Sequence, residues 1–313
     1  MRSAQIALQT GIVNSMDGIL NINKPRGKTS FSIVSLVKHL SGEKRVGHAG
    51  TLDPLASGVL PVCLGQGTRI IQFLQDSTKA YRAQIEFGVA TDTYDATGSI
   101  TSEGDPSGVS REKLLSALVS FRGLIQQTPP MYSAVKHSGK PLYQLARSGI
   151  KVARKSRKRW VYRLELLGWQ PPVATIEVEC GQGTYIRSLA DDLGQLLGCG
   201  GSLKSLVRLR CGIFTIEDAI TIPQLEEGFR HGYWEQFLYP IDSVLGEWGA
   251  VVVDDATAEN IKNGRPLALE GDELPASFPG NRCRVYTRDG GFLAMLSFDS
   301  EKGQWQPEKV FSH

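Results

Sequence analysis

The sequence predicts an α+β protein: a central mixed or antiparallel sheet flanked by helices and loops, followed by a small β-rich C-terminal unit. Three observations carry that expectation. Segments alternating apolar and polar residues with period two intermingle with amphipathic segments of helical period, without the regular strand–helix–strand repeat of a doubly wound sheet. From about Gly246 the texture changes to charges of both signs, "NGRPL", "PASFPGNRC" and "RVYTRDGGFLAMLSF", where Asp289-Gly290-Gly291 turns between alternating apolar positions as in a hairpin. The chain has 313 residues of 41% apolar composition, enough to bury the core of one large unit and one small one.

The elements follow in order. A helix is expected from about Thr29 to Leu40, capped by Thr29 or Ser30, with Ile33, Leu36, Val37 and Leu40 on one face and Gly42 past its end. The glycine-rich "GHAGTLDPLASG" comes next. Because Asp53 precedes Pro54, the α region is disfavoured for it, so its side chain is presented from a constrained, extended loop. "VLPVCLG" reads as a short apolar strand. Tyr81, Ala83, Ile85, Phe87 and Val89 alternate with Arg82, Gln84, Glu86 and Gly88 as a half-buried strand, which "ATDTYDATG" ends with turn residues. Ser110 to Phe121 fits an amphipathic helix through Leu114, Leu115, Leu118 and Phe121. Leu142, Leu145 and Ala146 form a short helical face that Gly149 closes. "KVARKSRKRWVYRLEL" interleaves cations with Trp160 and Tyr162. "ATIEVEC" alternates as a strand, "GQGT" turns, and Ile186, Leu189, Ala190, Leu193, Leu196 and Leu197 place one helix face on the core before Gly198 stops it. The echo between "GQGTRI" (65 to 70) and "GQGTYI" (181 to 186) is too short to be a repeat, and both are expected to be turns.

Charge is segregated along the chain. From Lys113 to Leu164 there is no Asp or Glu but there are twelve Lys and Arg, a local +12 in a chain whose net charge is +3. An isolated charge run is ordinarily a solvated face; a stretch this long without a compensating acid points to a polyanion, and nucleic acid is the natural one. Five widely spaced cysteines without a CxxC pair read as reduced, mostly buried thiols, neither a disulfide framework nor a zinc site. No apolar run could span a bilayer and the N-terminus has no convincing cleavage site, so a cytoplasmic protein without a membrane partner is expected. "GEKRVGHA" has the glycine spacing of a phosphate loop but His-Ala where Lys and Ser or Thr would be needed. The five histidines show no ligand spacing, and no metal is expected.

What remains is a lone acid. Asp53 is the only Asp or Glu between Lys44 and Gln75. Taken by itself, an Asp-Pro among glycines is most often a turn in which the Asp caps its own backbone. His48 nearby, the charge-poor loop and the polyanion-binding region weigh towards chemistry instead. A carboxylate facing nucleic acid without a metal repels phosphate, so it belongs beside a base or sugar and needs a cation to hold it.

These residues carry a resemblance. "GHAGTLDPLASGVLPVCLG" resembles the signature loop of the TruB family of tRNA pseudouridine-55 synthases. "GILNINKPRGKTS", "KAYRAQIEFGVATDTYDATG", "PPMYSAVKHSGKPLYQLARSG", "GTYIRSLADDLG" and "LVRLRCG" extend the likeness in order over about residues 18 to 220. The C-terminal part resembles that family's small PUA-like RNA-binding domain more loosely, through "NGRPL" and the hairpin.

The resemblance implies a pseudouridine-synthase fold with a disordered leader over 1–17, a catalytic domain over 18–245 with a basic RNA-gripping insertion at about 122–163, and a PUA-like domain over 246–313. "MDGILNINKP" is the family-like start, so either Met16 is the native start or the leader is disordered. It further implies a monomeric enzyme that flips the T-loop uridine of tRNA into a pocket and isomerises it without a cofactor. Asp53 maps onto the nucleophile, which either attacks the ribose carbon as a covalent ester or removes a ribose proton to give a glycal. Arg187 maps onto the arginine that pairs with it and lowers its pKa; by itself Arg187 would read as a surface helix residue. Tyr81 maps onto the tyrosine that stacks on the base and takes part in proton removal, against the plainer reading of a cross-strand aromatic. Tyr185 and Leu206 map onto positions lining the pocket, where packing is the plain alternative, and Asp95 onto a polar position near the substrate that would serve equally as a turn cap. His48 maps onto a histidine that stacks inside the T loop. Lys136, Lys140, Arg147, Lys151, Arg154, Lys155, Arg157, Lys158 and Arg159 suit phosphate contacts. The rivals are an RNA-binding protein without chemistry and a synthase that acts through guide-dependent assembly on other RNAs.

Overall fold

A computed structural model describes residues 16–150, 152–267 and 281–311. Most of the expected leader, residues 1–15, and Lys151 lie outside the described residues. Met16 packs against the core, and the Asp17 carboxylate accepts from the Gln66 amide at 2.7 Å.

Strand β1 (Gly18–Lys24) leads through α1 (Ser30–Ser41) and β2 (Val46–His48) to β3 (Ala56–Leu64). A 3₁₀ helix over Gly65–Ile70 and α2 (Ile71–Asp76) precede β4 (Lys79–Phe87), the hairpin of β5 (Val89–Thr91) and β6 (Ile100–Glu103), α3 (Arg111–Val119) and β7 (Gly123–Gln127). The basic segment forms a small hairpin, β8 (Lys136–His137) with β9 (Lys140–Pro141), then α4 (Leu142–Arg147) and the long β10 (Arg157–Gln170). Next come β11 (Val173–Cys180), α5 (Ile186–Leu196), β12 (Gly201–Cys211), β13 (Phe214–Thr215), α6 (Ile222–His231) and β14 (Leu238–Tyr239). The small C-terminal unit holds β15 (Gly249–Val253), α7 (Asp255–Lys262), β16 (Arg282–Thr287), β17 (Phe292–Asp299) and β18 (Gln304–Val310).

The large sheet runs β14-β1-β3-β12-β4-β11-β10-β7, with β2 on β3 and β13 on β12. Its strands pair antiparallel except where β12 lies parallel to β3. The architecture is therefore α+β around a mixed sheet, as the sequence predicts. Thr29 caps α1 by accepting from the Ser32 amide at 3.0 Å, and Gly42 ends it in the left-handed region. β4 buries the side expected of it, Ala83, Ile85 and Phe87, and bends at Gly88. The hairpin at Asp289-Gly290-Gly291 joins β16 to β17. All five cysteines are buried as free thiols. Among the described residues no helix is long and apolar enough to cross a membrane.

Three expectations are corrected. Leu115 is 36% exposed because α3 turns Leu114, Ala117 and Leu118 to the core, leaving Leu115 off the buried stripe. Leu196 is 56% exposed: α5 presses its Leu189–Leu193–Gly194 side so closely onto β12 that a Cβ on Gly194 would lie 2.1 Å from the Gly201 nitrogen. Residues 65 to 70 are a buried 3₁₀ helix rather than a simple turn, packed so tightly on β1 that a Cβ on Gly67 would sit 2.5 Å from the Gly18 carbonyl oxygen.

Two cores meet at β1 and β3. One lies between the sheet and α1, α3 and α5. The other joins Ile19, Val59 and Phe73 of the large unit to Trp248, Phe292, Met295 and Phe311 of the small one. The Arg282 guanidinium lies over the rings of Phe73 and Trp248, at 5.2 and 5.7 Å. The small unit also has its own core around Ile261, Val285 and Trp305.

The parallel β3–β12 joint tolerates no side chain at Gly58. Its φ is +101°, and a Cβ there would lie 2.3 Å from the Arg208 carbonyl oxygen. Gly58→Ala is expected to cost about 3 kcal/mol of stability, read as a lower urea midpoint; an unchanged midpoint would rule out this close approach.

Candidate active site

The loop carrying Asp53 is held at several points. The Ser30 hydroxyl, at the start of α1, accepts from the Leu52 amide at 2.8 Å and donates to the Leu52 carbonyl at 3.1 Å. Gly27 N donates to Pro54 O at 2.7 Å, Ala56 N to Asp53 O at 3.0 Å and Ala49 N to Pro61 O at 2.9 Å. Arg208 Nη2 donates to Gly50 O at 3.1 Å. Leu52 and Leu55 are buried on either side, so the backbone is anchored while the Asp53 side chain stays 39% exposed at a rim.

Arg187 meets it there. It sits in the first turn of α5 with its side chain only 6% exposed, so the surface-helix alternative fails. Its Nε lies 2.9 Å from Asp53 Oδ2, Nη1 donates to Thr93 O at 3.3 Å and lies 3.6 Å from Asp95 Oδ2, and Nη2 donates to Tyr132 O at 2.8 Å. These fixed partners leave the guanidinium one orientation. Asp95 is a turn cap that also touches Arg187. Its Oδ1 caps the turn, accepting from the Thr93 hydroxyl and the Thr97 amide, while Oδ2 faces Arg187.

Burial raises the Asp53 carboxyl above its ordinary value; Arg187 pulls it down, Asp95 pushes it up and Lys24 again lowers it. The expected lowering by Arg187 is present but outweighed, and the exposed edge of the carboxylate lets water moderate the rise. His48, on β2, is half-buried and its Nδ1 has no partner among the described residues. Burial, and then Arg208, lower its pKa, which keeps the imidazole neutral at neutral pH.

Tyr81 and Leu206 come in by sheet register. Leu206 on β12 pairs with Ala56 on one side and Ala83 on the other, and Arg208 pairs with Gly58 and Tyr81. Burial pushes the Tyr81 phenol up to about 12, while the Arg208 guanidinium opposes the rise. Tyr185 immediately precedes α5. Its amide donates to Gln127 Oε1 at 2.7 Å and its carbonyl accepts from Gln127 Nε2 at 2.9 Å, so one buried glutamine side chain fixes the approach to Arg187.

Three residues of this neighbourhood escaped the sequence reading: Gln127, Lys24 and Arg208. Lys24 is fully buried, donating to Pro25 O at 3.0 Å and Lys28 O at 2.7 Å. Its pKa falls to about 8, chiefly by burial, with Asp53 pulling it up and Arg208 down. Arg208 is 1% exposed, donates from Nε to Val59 O at 2.6 Å, and forms no ion pair among the described residues. Strand parity carried a signal for it, since Arg208 shares the side of Leu206.

The cations expected to meet phosphate are spread over the basic segment. Lys136 and Lys140 stand exposed on the β8–β9 hairpin, Arg147 lies 5.7 Å over the Tyr143 ring at the end of α4, and Lys155, Arg157 and Lys158 are exposed. Arg154 and Arg159 are partly committed, donating to Pro129 O and Gly183 O, each at 2.9 Å.

The fold has counterparts among known proteins. The chain matches the family model "TruB family pseudouridylate synthase (N terminal domain)" over residues 38–186 and "tRNA pseudouridylate synthase B C-terminal domain" over 187–246. It is 45% identical over 296 residues to the tRNA pseudouridine synthase B of Dehalococcoides mccartyi, covering 95% of this chain and 97% of the relative. It is 44% identical over 287 residues to that of Pseudomonas aeruginosa, covering 91% and 92%. Among solved structures, a Cbf5-Nop10-Gar1 complex superposes with a TM-score of 0.71 at 26% identity, over 94% of this chain and 85% of that one. Fold and likeness together define a pseudouridine synthase, an RNA-directed isomerase. Within that class the chain belongs to the TruB family.

Proposed function

We propose that the chain isomerises the T-loop uridine of tRNA, position 55, to pseudouridine, with Asp53 as nucleophile and no cofactor. The observation that carries this reading is the Asp53–Arg187 pair: a rim carboxylate on a pinned loop, kept company by a buried guanidinium with three further partners. The relatives' names supply tRNA as the substrate class.

The uridine swings out of the T loop, paying the cost of unstacking, and enters a pocket lined by Tyr81, Tyr185 and Leu206. Asp53 attacks ribose C1′ as the bond to uracil N1 breaks. The uracil turns within the pocket, its C5 attacks C1′, and the carboxylate leaves. The proton lost from C5 passes by way of Tyr81, and N1 takes one up, so the product is an isomer of the substrate. His48, uncharged, stacks where the RNA loop has opened. Lys136, Lys140, Arg147, Lys151, Arg154, Lys155, Arg157, Lys158 and Arg159 hold phosphates of the T arm. Residues 18–245 form the catalytic domain with its basic insertion, 246–313 an RNA-binding PUA-like domain, and the enzyme acts as a monomer in the cytoplasm.

A tRNA transcript tritiated at uridine C5 should release one equivalent of tritium to the isolated protein, and the same transcript with cytidine at the T-loop position should release none. Equal release from both would place the target elsewhere. Release only with an added guide RNA would turn the reading to guided modification.

A further inference from the structure

The outer side of the large sheet, opposite α3 and α5, has an aromatic patch beside the active site. Trp160 and Tyr162 on β10 are 52% and 55% exposed, their rings parallel within 1° and their centroids 6.2 Å apart. Leu124, the register partner of Trp160 on the edge strand β7, is 49% exposed. Val161 between the two aromatics is fully buried, so the alternation of a long strand, not a loose loop, holds the rings outward.

The patch adjoins the site through one turn. Gly181 N donates to Trp160 O at 2.9 Å, and the Gly181–Thr184 turn continues directly into Tyr185 and Arg187. Lys158, two residues before Trp160 and on the same side of the strand, is exposed and forms no ion pair among the described residues. The nearest acids of this side are each met by an arginine: Glu165 and Glu177 face Arg163, at 3.7 and 2.5 Å, Arg82 lies 3.2 Å from Glu177, and Arg210 lies 2.6 Å from Glu179. An exposed aromatic face beside an unpaired cation suits a π-stacked base with its phosphate, and such stacking is indifferent to base identity.

We propose that Trp160, with Tyr162 and Leu124, is a stacking platform for an unpaired nucleobase of the RNA substrate outside the uridine pocket, with Lys158 on the neighbouring phosphate. The inference rests on the chain being an RNA-modifying enzyme, and it adds a second point of grip at the sheet edge.

The test uses the full chain and a full tRNA transcript. Trp160→Ala should raise the Kd for tRNA about 10-fold, the scale of one lost stack, while the single-turnover rate at saturating tRNA stays as in the wild type; Trp160→Phe should recover most of the affinity. Bound tRNA should also shield a tryptophan from acrylamide quenching in the wild type, and this shielding should be missing in Trp160→Ala. A Kd within twofold of wild type for Trp160→Ala overturns the proposal, as does a loss confined to the saturated rate. A variant with wild-type tRNA affinity but altered sedimentation would assign the patch to protein contact and overturn it too. Wild-type protein that neither binds tRNA nor releases tritium would instead sink the functional reading itself, so the two failures separate.

Discussion

Asp53→Asn is expected to stop tritium release from 5-tritiated tRNA, by roughly 10⁴-fold or more, while tRNA affinity stays within a few fold. The amide keeps the shape of the carboxylate but can neither form an ester at the ribose nor take a proton from it, so either proposed route is closed. Arg187 retains Thr93 O, Tyr132 O and Asp95, so the neighbourhood keeps its form. Stability points the same way. Asp53 titrates above its ordinary 3.8, so in that window the folded state binds more protons than the unfolded one, and stability falls as pH rises through it. Ionised Asp53 therefore costs the fold stability at neutral pH. The Asn variant should show a urea midpoint at neutral pH no lower than the wild type, with any gain vanishing once pH falls below about 3.8. Wild-type tritium release from this variant would end the nucleophile assignment.

Arg187→Met is expected to have the next largest effect. Removing the guanidinium leaves Asp53 and Asp95 facing each other with no cation between them, and the pKa of Asp53 must rise further. On the proposed mechanism the ionised form reacts, so the rate falls as pH drops through that pKa. The acid limb of the single-turnover profile should thus move to higher pH, and the plateau should fall about 10²-fold with the loss of a fixed electrostatic partner. Stability should drop by about 3 kcal/mol, since the buried partners of the guanidinium are left unmet. Arg187→Lys restores the charge but not the planar fork, so it should bring back the acid limb and only part of the plateau. An acid limb in Arg187→Met that coincides with the wild type would show that Arg187 does not set the ionisation of Asp53.

Much of the fold was legible where one local rule decides. Thr29 and Gly42 bound α1 because capping and a left-handed end are chemical needs of a helix, and β4 showed its buried side through strict alternation. Leu115 and Leu196 were misplaced because helical period alone admits an apolar residue at the margin of the stripe; only the close packing of α3 and α5 narrows it. The shift in composition near Gly246 lies close to the start of the second sheet at Gly249 but concealed the core shared with the large sheet through Phe73 and Trp248.

The site was legible mainly by likeness. Locally Asp53 was a turn residue, and nothing in its own loop named the arginine on α5 that faces it. Gln127 could not be foreseen, because its role is to satisfy backbone groups of a segment far along the chain. Arg208 and Lys24 stood on the inward side of their strands, and that parity was the available warning of a buried cation.

The position of β12 governs when the enzyme can exist at all. It is inserted between β3, which follows Asp53, and β4, which carries Tyr81, and so sets two strand spacings, roughly 9.5 Å, between them. A growing polypeptide exposes Asp53 and Tyr81 early in synthesis, but the wedge between β3 and β4, together with Arg208, is made much later. Until residue 211 has left the ribosome, the nascent chain holds both Asp53 and Tyr81 and lacks the ruler that the folded sheet needs.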